Sequence, residues 1–397
     1  MALINICVNM THKLTRMVSI MKAAYITILT SLALTGCGGG GGGSAVVKPT
    51  PASFETTEYN AQYGLGKIKA SEIYSDGYSG SGVTVAVIDS GVDLDHPNLV
   101  DNIASGGYDY YDDDSDANPN GQGGSMSHGT HIAGIIAGMK NSSEMHGVAY
   151  SAKILSLRVG STSSPSSAAA YSAHSGAIAK GAKVLNNSYS LGWSTAGGDK
   201  LLEVRNNDIV QVWAAGNSSN SDPSNYAIAP NNSGYEDLAD SLIAVVATDS
   251  TNTIAPYSNK CGVAKNWCMA APGTDIYSTV DTTDNGHSGN YATMSGTSMA
   301  APHVSGAIAV LRSKWPSKTA AQIVTILYDT ATDLGDAGID TTYGRGLLNL
   351  DNALYAQGYL NLYSPSGSSY SLEDSDLNVS SIVGNVLNKS IKTAVYD

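Results

Sequence analysis

Ser298 sits among small residues in Gly296-Thr297-Ser298-Met299-Ala300-Ala301-Pro302-His303-Val304-Ser305-Gly306, at the start of an apolar, helix-like run. A helix N-terminus carries partial positive charge and N–H groups without intrahelical acceptors, so an oxyanion forming beside Ser298 would meet ready donors. Pro302 fits the first turn, where a missing N–H costs little. Taken alone, a serine in this setting more often caps the helix. Two other residues change the weighing. Asp89 follows the β-branched run 83–88 and precedes Ser90-Gly91, which places a carboxylate where the chain turns. His128 opens His128-Gly129-Thr130-His131-Ile132-Ala133-Gly134, a small-residue segment able to pack closely. A hydroxyl, an imidazole and a carboxylate are the groups that nucleophilic catalysis with a proton acceptor requires. Metal binding by His128 and His131 is the competing chemistry, but their spacing is three rather than four and Gly129 stands where a zinc protease needs glutamate. His131 reads as a packed structural histidine.

Such groups need elements to hold them. Apolar runs at 83–88, 154–159, 184–188, 209–214 and 242–247 read as buried parallel strands. Helical patterns at 128–139, 167–180, 200–206, 297–314 and 319–330 alternate with them or follow them. Strands alternating with helices of this length predict an α/β domain whose mainly parallel sheet has helices on both faces. Ligand chemistry then belongs at the carboxyl ends of the strands, where Asp89 lies.

The chain of 397 residues, 42% hydrophobic, is long enough to bury a large core. With 21 basic against 34 acidic residues its net charge is -13, which repels nucleic acid and sets that partner aside. Residues 1–37 read as an export signal: Lys13, Arg16 and Lys22 precede an apolar run at 23–34 that is too short to span a bilayer. The segment ends in Leu34-Thr35-Gly36-Cys37, which resembles a bacterial lipobox and makes Cys37 the expected lipid attachment point. Residues 38–56, beginning with six glycines, read as a flexible tether, and no P-loop lysine follows them.

The contexts DSG at Asp89, HGTHIAG at His128 and GTSMAAPHVSG at Ser298, in that order, resemble the subtilisin-like serine proteases over roughly residues 57–356. The resemblance implies a three-layer α/β peptidase domain and an Asp89–His128–Ser298 triad. Ser298 would attack the peptide carbonyl, His128 would carry the proton, and Asp89 would orient the imidazole. Asn217, in Ala214-Ala215-Gly216-Asn217, corresponds to the family's oxyanion donor beside the N–H of Ser298. Ser188-Tyr189-Ser190 and Ala214-Ala215-Gly216 correspond to two edges that hold an extended peptide. The family more often has leucine or tryptophan and then glycine in the first edge, so Tyr189 and Ser190 are expected to alter the outer pocket.

No cofactor is required by that chemistry. A structural calcium is a further implication of the resemblance, because 139–147 matches the length of a calcium loop and Asn141 falls at a liganding place. Asn98, where a liganding aspartate is expected, weakens it. The acidic residues Asp109, Asp112, Asp113, Asp114 and Asp116 depart from an EF-hand at Ala117 and Gly123 and read as a solvated loop.

Cys261 and Cys268 enclose six residues in an exported, oxidising setting, so a local disulfide is the natural pairing. That segment also resembles one in the lipobox-bearing autotransporter-type subtilases of Gram-negative bacteria. Tyr343-Gly344-Arg345-Gly346-Leu347-Leu348-Asn349 resembles the family's closing segment, and residues 357–397 read as a Ser/Asn-rich stalk, ending as a truncated product or a piece of a longer gene would. The reading is an exported serine endopeptidase acting on proteins or peptides, lipid-anchored at the outer membrane or cell surface, with a periplasmic or secreted location as the alternative. A non-catalytic adhesin on the same scaffold and a processing protease for one surface partner are the rival functions.

Overall fold

The computed structural model describes residues 49–119, 126–161, 164–281 and 289–354, and the backbone of a two-stranded hairpin, Asn361–Tyr363 with Ser369–Ser371. The export signal, Cys37 and the glycine run lie outside the described residues, as does most of the stalk.

Seven strands form one sheet: β1 (Thr84–Asp89), β2 (Tyr108–Asp109), β3 (Lys153–Arg158), β4 (Val184–Asn187), β5 (Val210–Ala214), β6 (Leu242–Thr248) and β7 (Cys268–Pro272). Their spatial order is β2-β3-β1-β4-β5-β6-β7, and every pairing is parallel. The five strands expected from apolar runs are all present. Edge strands β2 and β7 were not among those expected; β2 is two residues long and sits in the acidic segment.

Side chains alternate between two cores, as the pleat requires. Val85 and Val87 of β1 enter one, Ala86 and Ile88 the other; Ile243, Val245 and Ala247 of β6 oppose Leu242, Ala244 and Val246 in the same way. Helices α1 (His128–Ala137), α4 (Thr297–Lys314) and α5 (Ala320–Thr330) cover the first face, and α2 (Ser167–Ala179) and α3 (Thr195–Asn206) cover the second. This is the three-layer α/β arrangement. Helix α3 begins five residues earlier than its sequence pattern, because Ser194 caps it by accepting the Gly197 N–H at 3.1 Å while Gly197 and Gly198 obscure the helical signal.

Folded structure begins within the stretch read as tether. The Phe54 ring packs tilted against that of Tyr74, centroids 5.9 Å apart, and Glu55 accepts the Ser71 hydroxyl at 2.9 Å. Proline and serine made the segment look like linker, whereas one aromatic residue is enough to seat it. Among the described residues no helix is long and apolar enough to cross a membrane.

Cys261 and Cys268 form a disulfide with a Cα–Cα distance of 5.7 Å. Loop-closure entropy for so short a ring contributes about 2 to 3 kcal/mol. The Arg345 N–H and the Gly346 carbonyl bond to Cys268 and Ala270, so the closing segment seals the β7 edge.

Candidate active site

The order of strands reverses at β1, with β3 on one side and β4 on the other, and the crevice at their carboxyl ends is where an α/β sheet offers a site. Asp89 ends β1 there. Its Oδ1 accepts the Ser90 N–H at 2.8 Å and lies 2.8 Å from His128 Nδ1. The carboxylate side chain is 1% exposed and the imidazole 13%, so the pair is shielded from water while the ring keeps one edge toward the crevice.

Gly129 explains how the histidine comes so close. A Cβ there would lie 2.2 Å from the Gly91 carbonyl oxygen and 3.3 Å from Asp89 Cβ, so the first turn of α1 can rest on the turn after β1 only without a side chain. The Gly129 N–H donates to Ser90 Oγ at 3.1 Å, closing the junction.

Helix α1 packs against α4, whose second residue is Ser298. Ser298 Oγ donates to the Ser188 carbonyl at 3.1 Å, and Ser188 Oγ donates to the Ser298 carbonyl at 3.1 Å. The hydroxyl is therefore directed at the end of β4 rather than at His128. Catalytic hydrogen bonds are often unmade until substrate arrives.

Asn217 stands past the end of β5 with its amide orientation set by Thr297. Its Oδ1 accepts the Thr297 N–H at 2.8 Å and the Thr297 hydroxyl at 3.0 Å, which leaves Nδ2 to face the crevice. A Cβ added to Gly296 would lie 3.4 Å from Asn217 Nδ2 and 3.6 Å from Ser298 N. The two donors thus converge on one point beside the serine, and the lack of a side chain at 296 keeps that point open. Ser298 N–H is one of the first-turn groups that a helix leaves without an intrahelical acceptor. Such a pair of fixed donors stabilises developing negative charge with little reorganisation.

The two expected peptide edges flank this point. Ala214 and Ala215 are buried, and the Gly216 N–H donates to Thr297 Oγ1 at 3.0 Å, tying this edge to α4. On the other edge Tyr189 turns inward: its hydroxyl donates to Asn187 Oδ1 at 3.0 Å and its ring meets Trp213 at 5.4 Å. Burial holds the Tyr189 phenol well above its ordinary range. Ser190 stays exposed and its hydroxyl lies 3.3 Å from that of Ser224, so it, not the tyrosine ring, faces outward.

Hydrogen bonds within the protein close the loop 139–147. Calcium takes an array of oxygen ligands. Here the N–H groups of Asn141 and Ser142 point at the Glu58 carboxylate, at 2.7 and 3.0 Å, and Asn141 Oδ1 accepts the Ser143 N–H at 3.0 Å. Asn98 Nδ2 donates to the Met145 carbonyl at 2.9 Å, occupying an oxygen that a cation would need. A carboxylate therefore closes the loop from outside, with donors rather than acceptors turned toward it.

The acidic segment is only partly the solvated loop expected. Asp109 is buried on β2 and, with Asp112, grips the buried Arg158 guanidinium, while Asp113, Asp114 and Asp116 are exposed. His131 is packed as expected, its Nε2 lying 3.0 Å from the Ile276 carbonyl oxygen and 3.1 Å from that of Ala292. Nothing in the sequence marks Thr297 as the residue that orients Asn217, and Ser90 and Gly129 act through contacts that no spacing rule reveals.

Known proteins are similar to this chain over most of its length. The chain is similar to an extracellular serine protease of Serratia marcescens, 31% identical over 368 residues that cover 77% of this chain and 34% of that protein. It is similar to Subtilisin DY of Bacillus licheniformis, 36% identical over 295 residues, 73% of this chain and 97% of the relative. Subtilisin E of Bacillus subtilis is 39% identical over 295 residues, 73% and 70% of the two chains. The chain thus spans about a third of the length of the Serratia protein. The model of the Subtilase family matches residues 80–346, from just before β1 to the closing segment and through every residue of the crevice, and the chain belongs to that family.

Proposed function

We propose that this chain is a serine endopeptidase that hydrolyses peptide bonds through an acyl-enzyme on Ser298. The observation that carries the reading is the Asp89–His128 hydrogen bond, 2.8 Å long, in the crevice that also holds Ser298 at a helix start. His128 takes the serine proton as Oγ attacks the substrate carbonyl and then delivers it to the leaving amine. Asp89 holds Nδ1 protonated, which keeps Nε2 free as the base, and its charge stabilises the imidazolium. The tetrahedral oxyanion is received by Asn217 Nδ2 and the Ser298 N–H. Ser188–Ser190 and Ala214–Gly216 bracket the substrate as an extended strand. Acyl transfer of this kind uses no cofactor, and calcium is not part of the proposal.

Incubation with a fluorophosphonate probe and mapping of the adduct tests the reading: a single adduct on Ser298 that blocks peptide hydrolysis is expected. Failure of the probe to react with folded protein would favour the non-catalytic adhesin. Asn217→Ala should lower kcat by about 10² to 10³ with little change in KM, because its bond strengthens as charge develops. A change confined to KM would make Asn217 a substrate-positioning group instead.

Export and anchoring complete the proposal. The apolar run, the Leu34-Thr35-Gly36-Cys37 sequence and the glycine tether support a protein attached by acyl chains at Cys37, and a similar protein in Serratia is named extracellular. Two or more acyl chains hold a protein stably at a membrane, at about 0.8 kcal/mol per buried CH₂. Cys37→Ser in the native host should release active enzyme from the membrane fraction. A variant retained wholly in that fraction would remove Cys37 as the anchor.

A further inference from the structure

Asn259 belongs to none of the motifs that carry the chemistry, yet it is 1% exposed and commits its N–H and its carboxamide to one loop. Its N–H donates to the Gly216 carbonyl at 2.8 Å, and its Nδ2 donates to the Ala215 carbonyl at 2.9 Å. Its Oδ1 accepts the N–H groups of Ser218 and Asn220, each at 3.0 Å. These bonds fall on both sides of Asn217. The loop itself has no helix or ladder to set its path, and it turns through positive φ at Gly216 (106°) and Ser219 (57°). A Cβ on Gly216 would come 2.6 Å from Asn259 Nδ2, so the carboxamide occupies the space against which the loop is wound.

Asn217 is thus held at two levels. Thr297 fixes the rotation of its amide, and Asn259 fixes the backbone from which that amide projects. We infer that Asn259 is a positioning residue for the oxyanion donor, setting the loop 215–220 so that Asn217 Nδ2 stands beside the Ser298 N–H. The inference rests on the hydrolytic reading above. A displacement of about 1 Å in such a group can cost on the order of 10² in rate, so a buried side chain that never meets substrate can govern turnover.

The test is a double-mutant cycle on the full chain, read with a peptide substrate. Asn259→Ala should lower kcat by about 10- to 100-fold with KM changed less than about threefold. In an Asn217→Ala background the same substitution should cost less than about a further twofold, because the donor it positions is already gone. Equal losses in both backgrounds, or a loss confined to KM, would overturn the inference. Amide exchange supplies a readout that does not need turnover: Ser218 and Asn220 should lose protection in Asn259→Ala while α4 keeps its own. Unchanged protection at those two amides would overturn it as well. If wild-type protein hydrolyses nothing, the hydrolytic reading fails, and the exchange result still decides whether Asn259 holds the loop. Should the alanine variant not fold, Asn259→Leu, which is close in volume and loses both the acceptor oxygen and the donor, is read by the same cycle and the same exchange measurement.

Discussion

Replacing Ser298 with alanine is expected to abolish measurable peptide hydrolysis, a loss on the order of 10⁶ in kcat, while the protein remains folded. The fold should survive because the hydroxyl makes one bond, to the Ser188 carbonyl, and the surrounding small residues of α4 are otherwise untouched. Residual catalysis of about 10³ to 10⁴ over water should persist, since the Asn217 amide and the Ser298 N–H still bind the oxyanion when water attacks. His128→Ala should cost nearly as much, and the double variant little more than either, because nucleophile and base act as one unit. Peptide turnover with thermal unfolding on the same preparations checks this. Turnover like that of the wild type in Ser298→Ala would remove the triad assignment.

Acid should weaken the protein before its carboxylates are protonated. Among the buried histidines are His174, stacked on Trp213 at 6.2 Å, and His303, whose ring lies between the Met299 carbonyl and Gln62. Burial pushes each imidazole down to about 4. The unfolded chain titrates near the ordinary value of about 6.5, so between 6.5 and 4 it binds protons that the folded state refuses. Stability is therefore full above about pH 6.5 and falls as pH drops toward 4, by up to roughly 3 kcal/mol for each ring. Together they reach a large share of the about 5–15 kcal/mol that holds an ordinary domain. Ordinary carboxylates titrate lower, near 4, which leaves the upper part of this window to histidine. Urea unfolding midpoints measured from pH 7.5 to 4.5 should decline steadily below 6.5. A flat profile over that range would show that these rings are not held neutral by the fold.

Much of the fold was legible because it depends on local pattern. The runs that became β1, β3, β4, β5 and β6 are apolar regardless of what packs on them, and α4 was found with the bounds its sequence indicates, Thr297–Lys314. The candidate site residues were legible through the family resemblance of their motifs, and the elements account for their meeting. Asp89, His128, Ser298 and Asn217 each stand at the end of a strand or the start of a helix, where their element delivers them to the same edge. The Cys261–Cys268 bond followed from proximity in the chain.

What the sequence alone determined, then, was most of the central strands and helices and the candidate groups for acyl-transfer chemistry. The tertiary structure decided which polar groups meet. It turned Tyr189 inward onto Trp213 and left Ser190 facing out, because an aromatic ring gains more from burial there than from the crevice. It closed the loop 139–147 on Glu58, a residue about eighty positions earlier, where the sequence had suggested a cation at Asn141. It also brought Asn259 beneath the loop that carries Asn217, roughly forty residues away. Hydrophobic period is a property of neighbours along the chain, and so it survives in the sequence. A buried hydrogen bond between distant loops has no period, and its partners are chosen only when packing removes water from both.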